Sequence, residues 1–488
     1  MNKHIARSLP FVVGACLVCT SAGTSAAQDR IPSDSALAAL DDSISNMMER
    51  GQIPGVVYAV SSNGQVVHAQ AYGLADLELH VPMILESAVE IGSISKQFTA
   101  TGIMLLVQEG KLGLDDPIEL YIDILPERWH GITVRQLLTH TSGIPDYEAI
   151  FGYESYRNIY TPREIIDIGN SQPPDFPPGT DYSYSNTGYF LLTMILERVS
   201  GEKFEEFLQA RIFGPLGMTA TRNSDPSAII PNRASGYWLN DGDLENRDPI
   251  QPSSTGGAGT IVSTVLDMAK WDAALYTDQV LPQASLDTMW TPATLVDGSR
   301  TNYGFGWSVS PYRGHRRQSH SGQTAGYLTS FVRFPDDSLA IMVFSNRYQA
   351  RLFPIVTRVM HTFLPELAYA SLQPASDVDP EVVEAARLAL REIAGAEEST
   401  GALTEKLAEF VDGPDFAGSR ENVRAWVNDL NRFEFLRIRE MPEGTTSDFG
   451  EPIAVTYLYR MVAGDTVRYW NLWVTPNGKV ADFGVVAD

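Results

Sequence analysis

Gly92-Ser93-Ile94-Ser95-Lys96-Gln97-Phe98-Thr99-Ala100 is the stretch on which the reading of this 488-residue chain turns. From Phe98 to Val107 apolar residues recur at helical spacing, and Gly110 follows, so the segment predicts a buried helix with a polar first turn beginning near Ser93. Residues three apart on a helix share a face, which puts the amine of Lys96 beside the hydroxyl of Ser93. A serine hydroxyl attacks poorly until a neighbouring base takes its proton. Burial and the positive end of a helix both disfavour the ammonium form of Lys96, which suits it to be that base near neutral pH. The same spacing recurs at Ser200-Gly201-Glu202-Lys203, but Gly201 interrupts the helix there and undoes the alignment.

Two further segments supply complementary groups. Tyr184-Ser185-Asn186 offers a phenol able to pass a proton to a leaving group and an amide able to orient both the lysine and a substrate carbonyl. It follows the loop Pro173 to Thr180 and precedes an apolar helix through Leu191, Leu192, Ile195, Leu196 and Val199, a context that Tyr156-Arg157-Asn158 and Tyr469-Trp470-Asn471 lack. His320-Ser321-Gly322 opens a strand-like run. On an edge strand Gly322 would admit a substrate backbone, and Gln323 would offer an amide to an oxyanion together with the amide of Ser93. His140, in the turn His140 to Pro145 after a short helix at Thr133 to Leu138, reads as structural. Tyr147, Phe151, Tyr153, Tyr156 and Tyr160 read equally as a pocket wall or as the core of a helical subdomain.

Around these motifs the chain reads as α+β. Two β-rich runs from Gly55 to Ala71 flank Asn63-Gly64, a tight-turn dipeptide, and are expected to open the fold; runs at Gly304 to Val309, Gly326 to Phe334 and Leu339 to Ser345 are expected to complete the same sheet. The Gly-rich Thr255 to Thr260 lacks the ending of a phosphate loop and reads as a turn before the helix around Met268 and Trp271. At 373–380 composition shifts to Ser, Asp and Pro. Beyond this linker, 381–488 reads as a small α+β domain with helices at Val382 to Ile393, Leu403 to Phe410 and Val423 to Leu430, then strands near Phe433, Tyr457, Tyr469 and Val480; Trp470, Leu472 and Val474 are expected in its core.

A formal net charge of −24 excludes a phosphate-gripping role, so no nucleic-acid partner is expected, and 44% hydrophobic residues suffice for a large core. Lys3 and Arg7 precede an apolar run from Leu9 to Val18 that ends in Ser25, Ala26 and Ala27, the pattern of a signal peptide over 1–27 and hence of a periplasmic or secreted protein. Val13-Gly14-Ala15-Cys16 offers the alternative of a lipoprotein anchored at Cys16. No stretch is long enough for a transmembrane span. Both cysteines, Cys16 and Cys19, lie in this leader, which leaves 28–372 and the C-terminal domain without thiol chemistry. Eight histidines without paired spacing give no metal site, and no cofactor is expected.

Taken together, Gly92 to Ala100, Leu137-Leu138-Thr139-His140-Thr141-Ser142-Gly143, Tyr184-Ser185-Asn186, Pro215-Leu216-Gly217-Met218 and Tyr303-Gly304-Phe305-Gly306-Trp307 resemble the serine β-lactamase-like hydrolases. That family covers class C β-lactamases, D-alanyl-D-alanine carboxypeptidases, D-aminopeptidases and related esterases. The resemblance runs from about Ser35 to Leu367 and implies an antiparallel sheet flanked by helices with an inserted helical subdomain. It further implies an acyl-enzyme on Ser93, proton transfer by Lys96 and Tyr184, and Asn186, His320, Gly322 and Gln323 around a small-molecule or peptide substrate. Many β-lactamases carry Lys-Thr-Gly where His320 stands. An imidazole is mostly neutral at pH 7, so carboxylate recognition is weakened unless Arg316 or Arg317 substitutes, and an esterase or D-amino-acid peptidase ranks above a β-lactamase. The rival α/β-hydrolase needs a Gly-x-Ser-x-Gly elbow, which is absent; the other rival is a penicillin-binding sensor in which the acyl-enzyme persists.

Overall fold

Asn63 and Gly64 both adopt positive φ, 51° and 72°, and close a hairpin between β1 (Gly55–Ser62) and β2 (Gln65–Asp76). The computed structural model describes residues 31–486 except 249, 376–378, 396–399, 415, 442–444 and 464–465; the leader expected over 1–27, with Cys16, lies outside the described residues. With β3 (Val81–Pro82), β4 (Ser308–Val309), β5 (Gln318–Thr324), β6 (Tyr327–Phe334) and β7 (Leu339–Ser345), the hairpin forms a seven-stranded antiparallel sheet in the order β3-β2-β1-β7-β6-β5-β4. β1 pairs with β7, Tyr58 opposite Val343 and Val60 opposite Ile341, so the two ends of the hydrolase region meet at the sheet centre.

The helices that position the site are α1 (Asp34–Gly51), α2 (Ser95–Gln108), α3 (Val134–Leu138), α4 (Asn186–Ser200), α5 (Val265–Ala274) and α6 (Leu352–Phe363). β1 is buried throughout because the alternation of its side chains meets a core on each face. Val56, Tyr58 and Val60 pack with Leu40, Ile44 and Met48 of α1 and Ile355 and Val359 of α6. Val57 and Ala59 face the larger core, which holds Phe98, Ile103, Leu191, Ile195, Met268 and Trp271. Among the described residues no helix is long and apolar enough to cross a membrane.

Two expectations need correction. The hairpin does not open the fold: α1 precedes it, capped by Ser33, whose side chain accepts from the amide of Ala36, and it presents Leu40, Ile44 and Met48 at spacings of four as one apolar stripe. The run Gly304 to Val309 is strand only at Ser308–Val309. Ahead of that strand the backbone bends inward, and a Cβ on Gly306 would lie 2.7 Å from the carbonyl oxygen of Lys96, so this segment is a buttress for α2 rather than a strand.

Beyond 379 come α7 (Pro380–Ile393), α8 (Glu405–Asp412) and α9 (Ala417–Asn428), then a four-stranded antiparallel meander of β8 (Leu430–Glu440), β9 (Val455–Ala463), β10 (Thr466–Val474) and β11 (Val480–Val486). One face of this sheet buries Tyr459, Met461, Trp470, Leu472 and Val474 against Leu390 and Leu407. The other face joins Leu436, Leu458 and Tyr469 to Tyr369 and Leu372 of the chain leaving the hydrolase region. Tyr369 stacks on Tyr469 at 5.2 Å, and Arg460 donates to the carbonyls of Ala370 and Leu372, which fixes the two parts against each other.

A fully buried ion pair ties α5 to the sheet. Arg333 of β6 meets Asp272 at 2.6 Å, Ser61 of β1 donates to the other Asp272 oxygen at 2.6 Å, and Arg333 also donates to Gln318 of β5 at 2.8 Å. Removing one partner strands a charge in a dry interior, which costs more than the pair contributes. Asp272→Asn is therefore expected to lower stability by about 3–5 kcal/mol, measured by denaturant unfolding.

Candidate active site

Ser93 owes its place to two backbone contacts. It is the middle residue of a 3₁₀ turn, Gly92–Ile94, that leads into α2, and Gly92 enters this turn at φ 53°. β5 lies directly against the turn: a Cβ on Gly322 would sit 1.8 Å from the Ile91 carbonyl oxygen, and one on Gly92 would sit 2.6 Å from the Gln323 nitrogen. Only a glycine pair permits this approach. Thr329 of β6 donates to the same Ile91 carbonyl at 2.9 Å. Ser93 remains half-buried while its neighbours Ile94, Ser95 and Lys96 are enclosed.

Lys96 has no exposed surface, and its Nζ lies 3.0 Å from Ser93 Oγ, 2.6 Å from Asn186 Oδ1 and 2.8 Å from the Ala258 carbonyl. Burial draws the amine down from the ordinary lysine range, against the pull of Glu148 and Asp146. A neutral amine has two hydrogens and one lone pair. Asn186 and Ala258 accept the two hydrogens, which directs the lone pair at Ser93 and lets the serine hydroxyl donate to it. The ammonium form donates to all three.

Tyr184 lies across the amine, its ring centroid 4.7 Å from Lys96 Nζ. Burial holds its phenol well above the usual range, with Ser93 partly offsetting the shift and Glu148 adding to it. The Tyr184 hydroxyl is enclosed and completes no well-formed hydrogen bond among the described residues. His140 lies under this ring at 4.2 Å, and its Nδ1 accepts from the amide of Ser185 at 3.1 Å. Its φ of 58° fits a turn residue, but the turn is inside the site. Burial, then Lys96 and His320, hold His140 neutral.

His320 reaches the cluster through Tyr303 rather than touching Ser93. Its Nδ1 donates to the Ser321 carbonyl at 2.6 Å, which leaves Nε2 to accept from the Tyr303 hydroxyl at 2.7 Å. Burial and then Lys96 push it down to about 3, so it carries no charge at pH 7. Beyond it opens a cleft of about 590 Å³ lined by Tyr184, Tyr303, His320, Ser321, Phe353 and Arg317, among others. Arg316 is taken by Asp336 at 2.7 Å. Arg317 donates to Ser310 and is, among the described residues, the one formally charged side chain lining the cleft.

Sequence reasoning thus names Ser93, Lys96, Tyr184 and Asn186, which converge, and Gly322 and Gln323, whose backbone abuts the turn. It misses three contributors. The Ala258 carbonyl comes from the turn at Thr255 to Thr260, and a backbone acceptor leaves no side-chain signal. Asp146 accepts from Asn186 Nδ2 at 3.1 Å and from the Asn186 amide at 3.2 Å, and Glu148 stands two residues onward in the first turn of the short helix that Asp146 caps. Their segment, directly after Ile144-Pro145, reads from sequence only as the end of a turn. Of the aromatic residues there, Tyr147, Phe151 and Tyr160 pack with Ile165 and Phe190 as a small core, Tyr156 pairs with Glu148, and the Tyr153 side chain lies outside the described residues. The competing Ser200 pairs with Glu202, not Lys203.

The chain is similar to proteins of known structure and sequence. Penicillin-binding protein 4* of Bacillus subtilis is 33% identical over 318 residues, 61% of this chain and 69% of that protein. The crystal structure of D-amino acid amidase from Ochrobactrum anthropi SV3 complexed with L-phenylalanine amide superimposes with a TM-score of 0.58 at 29% identity, covering 68% of this chain and all of that one. The fold extends through the C-terminal sheet in the octameric penicillin-binding protein homologue from Pyrococcus abyssi, with a TM-score of 0.60 at 23% identity over 93% of this chain and 98% of that one. The family model described as Beta-lactamase matches residues 40–359, the greater part of the chain. The chain belongs to this Beta-lactamase family, and it is a serine hydrolase.

Proposed function

We propose that Ser93 attacks the carbonyl of an ester or of an amide of D-amino-acid type, forms an acyl-enzyme, and is released by water. The observation that carries this reading is the 3.0 Å approach of Lys96 Nζ to Ser93 Oγ while Asn186 and Ala258 accept the remaining amine hydrogens. In acylation the Ser93 proton passes to Lys96 as the Oγ–C bond forms and the carbonyl electrons move to oxygen. The amides of Ser93 and Gln323 receive that oxyanion. Tyr184 gives its proton to the departing nitrogen or oxygen and recovers one from Lys96; water then repeats the sequence in reverse. The D-amino acid amidase relative supports the amide branch. The charged-to-apolar pattern of residues 1–27 supports export.

Neutral His320 supports ranking these substrates above β-lactams, because a position that carries a fixed ammonium in many β-lactamases here offers only a hydrogen-bonded imidazole. Arg317, farther along the cleft, is placed to meet a substrate carboxylate. A persistent acyl-enzyme, as in a sensor, is the alternative outcome of the assay below.

Purified protein is expected to turn over a short p-nitrophenyl ester or a D-amino-acid amide, and Ser93→Ala to lower the rate on the order of 10³-fold or more. Ser93-dependent turnover of a chromogenic cephalosporin alone would overturn the ranking, and stoichiometric labelling without turnover would establish the sensor. Arg317→Ala is expected to raise KM about tenfold for a D-alanyl-D-alanine peptide ending in a carboxylate, and to leave KM for the neutral ester unchanged, as read by steady-state kinetics.

A further inference from the structure

Behind the nucleophile lies a pair of acidic residues that the acyl-transfer steps leave unused. Asp146 caps the short helix Tyr147–Phe151 by accepting from the amide of Glu148 at 3.2 Å. The same carboxylate grips Asn186 twice, at its backbone amide and at Nδ2. Since Nδ2 is engaged there, the Asn186 side chain has one orientation, with Oδ1 turned to Lys96 at 2.6 Å. Asp146, Asn186 and Lys96 form a continuous chain from anion through amide to amine. Glu148 has no such bridge: among the described residues no carboxylate lies within 4 Å of Lys96, so Glu148 acts on the amine through space.

We propose that Asp146 and Glu148 are positioning residues that set the charge of Lys96, Asp146 by polarising and orienting Asn186 and Glu148 by its field acting through space. The inference rests on the reading of Lys96 as the base for Ser93. Such an arrangement fits the chemistry: the amine must be neutral before attack and an ammonium just after it, and anions held at a distance stabilise the second state without neutralising it by contact. Buried surroundings favour the neutral amine, and the acids oppose them. Burial correspondingly raises both carboxyls, while Lys96 draws them down. The other titratable groups facing the amine are His140, His320, Tyr184 and Tyr189. Both imidazoles are held neutral and both phenols protonated across the working range, which leaves the acid pair as the adjustable charge.

Removing an anion near Lys96 disfavours its ammonium form, lowers its pKa and makes the free amine available at lower pH. The test is the pH dependence of Ser93 modification by a fluorophosphonate, a reagent that needs the activated hydroxyl but not the natural substrate. Glu148→Gln, which can keep the contact with Tyr156, and Asp146→Asn are each expected to move the acid limb down by about half a pH unit or more; well below the limb, the rate relative to its plateau is then about threefold above that of the unaltered protein. Asp146→Glu, which keeps the charge, is expected to restore the limb. A merely structural role would lower the plateau and leave the limb in place, and that result, or a shift to higher pH, would overturn the inference. Should Asp146→Asn fail to fold by circular dichroism, Glu148→Gln decides alone. Ser93→Ala serves as the control: undiminished labelling in that variant would sink the nucleophile assignment itself, whereas Ser93-dependent labelling with an unmoved limb would sink only the role given to the acids.

Discussion

An amine enclosed with two fixed acceptors and one serine hydroxyl is the interaction on which the site depends. In water a lysine is an ammonium ion and a poor base; inside this protein Lys96 has lost that hydration, and Asn186 and Ala258 accept the hydrogens that a neutral amine retains. Its remaining valence points at Ser93. The surrounding groups follow from that requirement. Tyr184 covers the amine with its ring, His140 supports Tyr184 from below while staying neutral, and the Asp146 carboxylate is held off by the intervening Asn186. A carboxylate in direct contact would hold the lysine as an ammonium.

The fold supplies rigidity at the points where these segments meet. β5 and the turn carrying Ser93 approach so closely that neither Gly92 nor Gly322 has room for a Cβ, and Gly306 presses equally closely on the backbone of Lys96. Such contacts transmit position through backbone, with little scope for side-chain relaxation. The sheet is anchored in turn by the buried Arg333–Asp272 pair and by cores on both faces. Placing the amine and hydroxyl on elements of this kind, instead of on mobile loops, holds them at a fixed separation.

The groups around this centre set its charge and polarity. His320 is tied to Tyr303 and its own backbone, so the position offers hydrogen bonding without charge, and the cleft acquires its positive group farther out at Arg317. Arg317 and Arg313 both lie against Tyr312, and Arg313 also covers Tyr369, the residue that stacks on the C-terminal sheet. The wall of the cleft and the C-terminal part of the chain thus share one aromatic and guanidinium seam.

The sequence alone determined the local elements and the pairing of Ser93 with Lys96. The Asn63-Gly64 turn, the helix after Ser93 and the helix after Asn186 follow from residue type and period, and three positions on one helix are enough to put Lys96 beside Ser93. Even there the local signals compete: α1 shows its stripe at Leu40, Ile44 and Met48, while the Asn63-Gly64 hairpin beside it is the stronger sequence pattern. What only the tertiary structure decided is every partner that comes from elsewhere in the chain. The carbonyl of Ala258 is invisible because every residue has one, and the Asp146 carboxylate is an ordinary helix cap until Asn186 folds onto it. Arg316 is paired with Asp336, a neighbour in space and not in sequence. Periodicity reports which face of an element is buried, but the charge on a buried amine is fixed by distances between segments, and those exist only once the chain has folded.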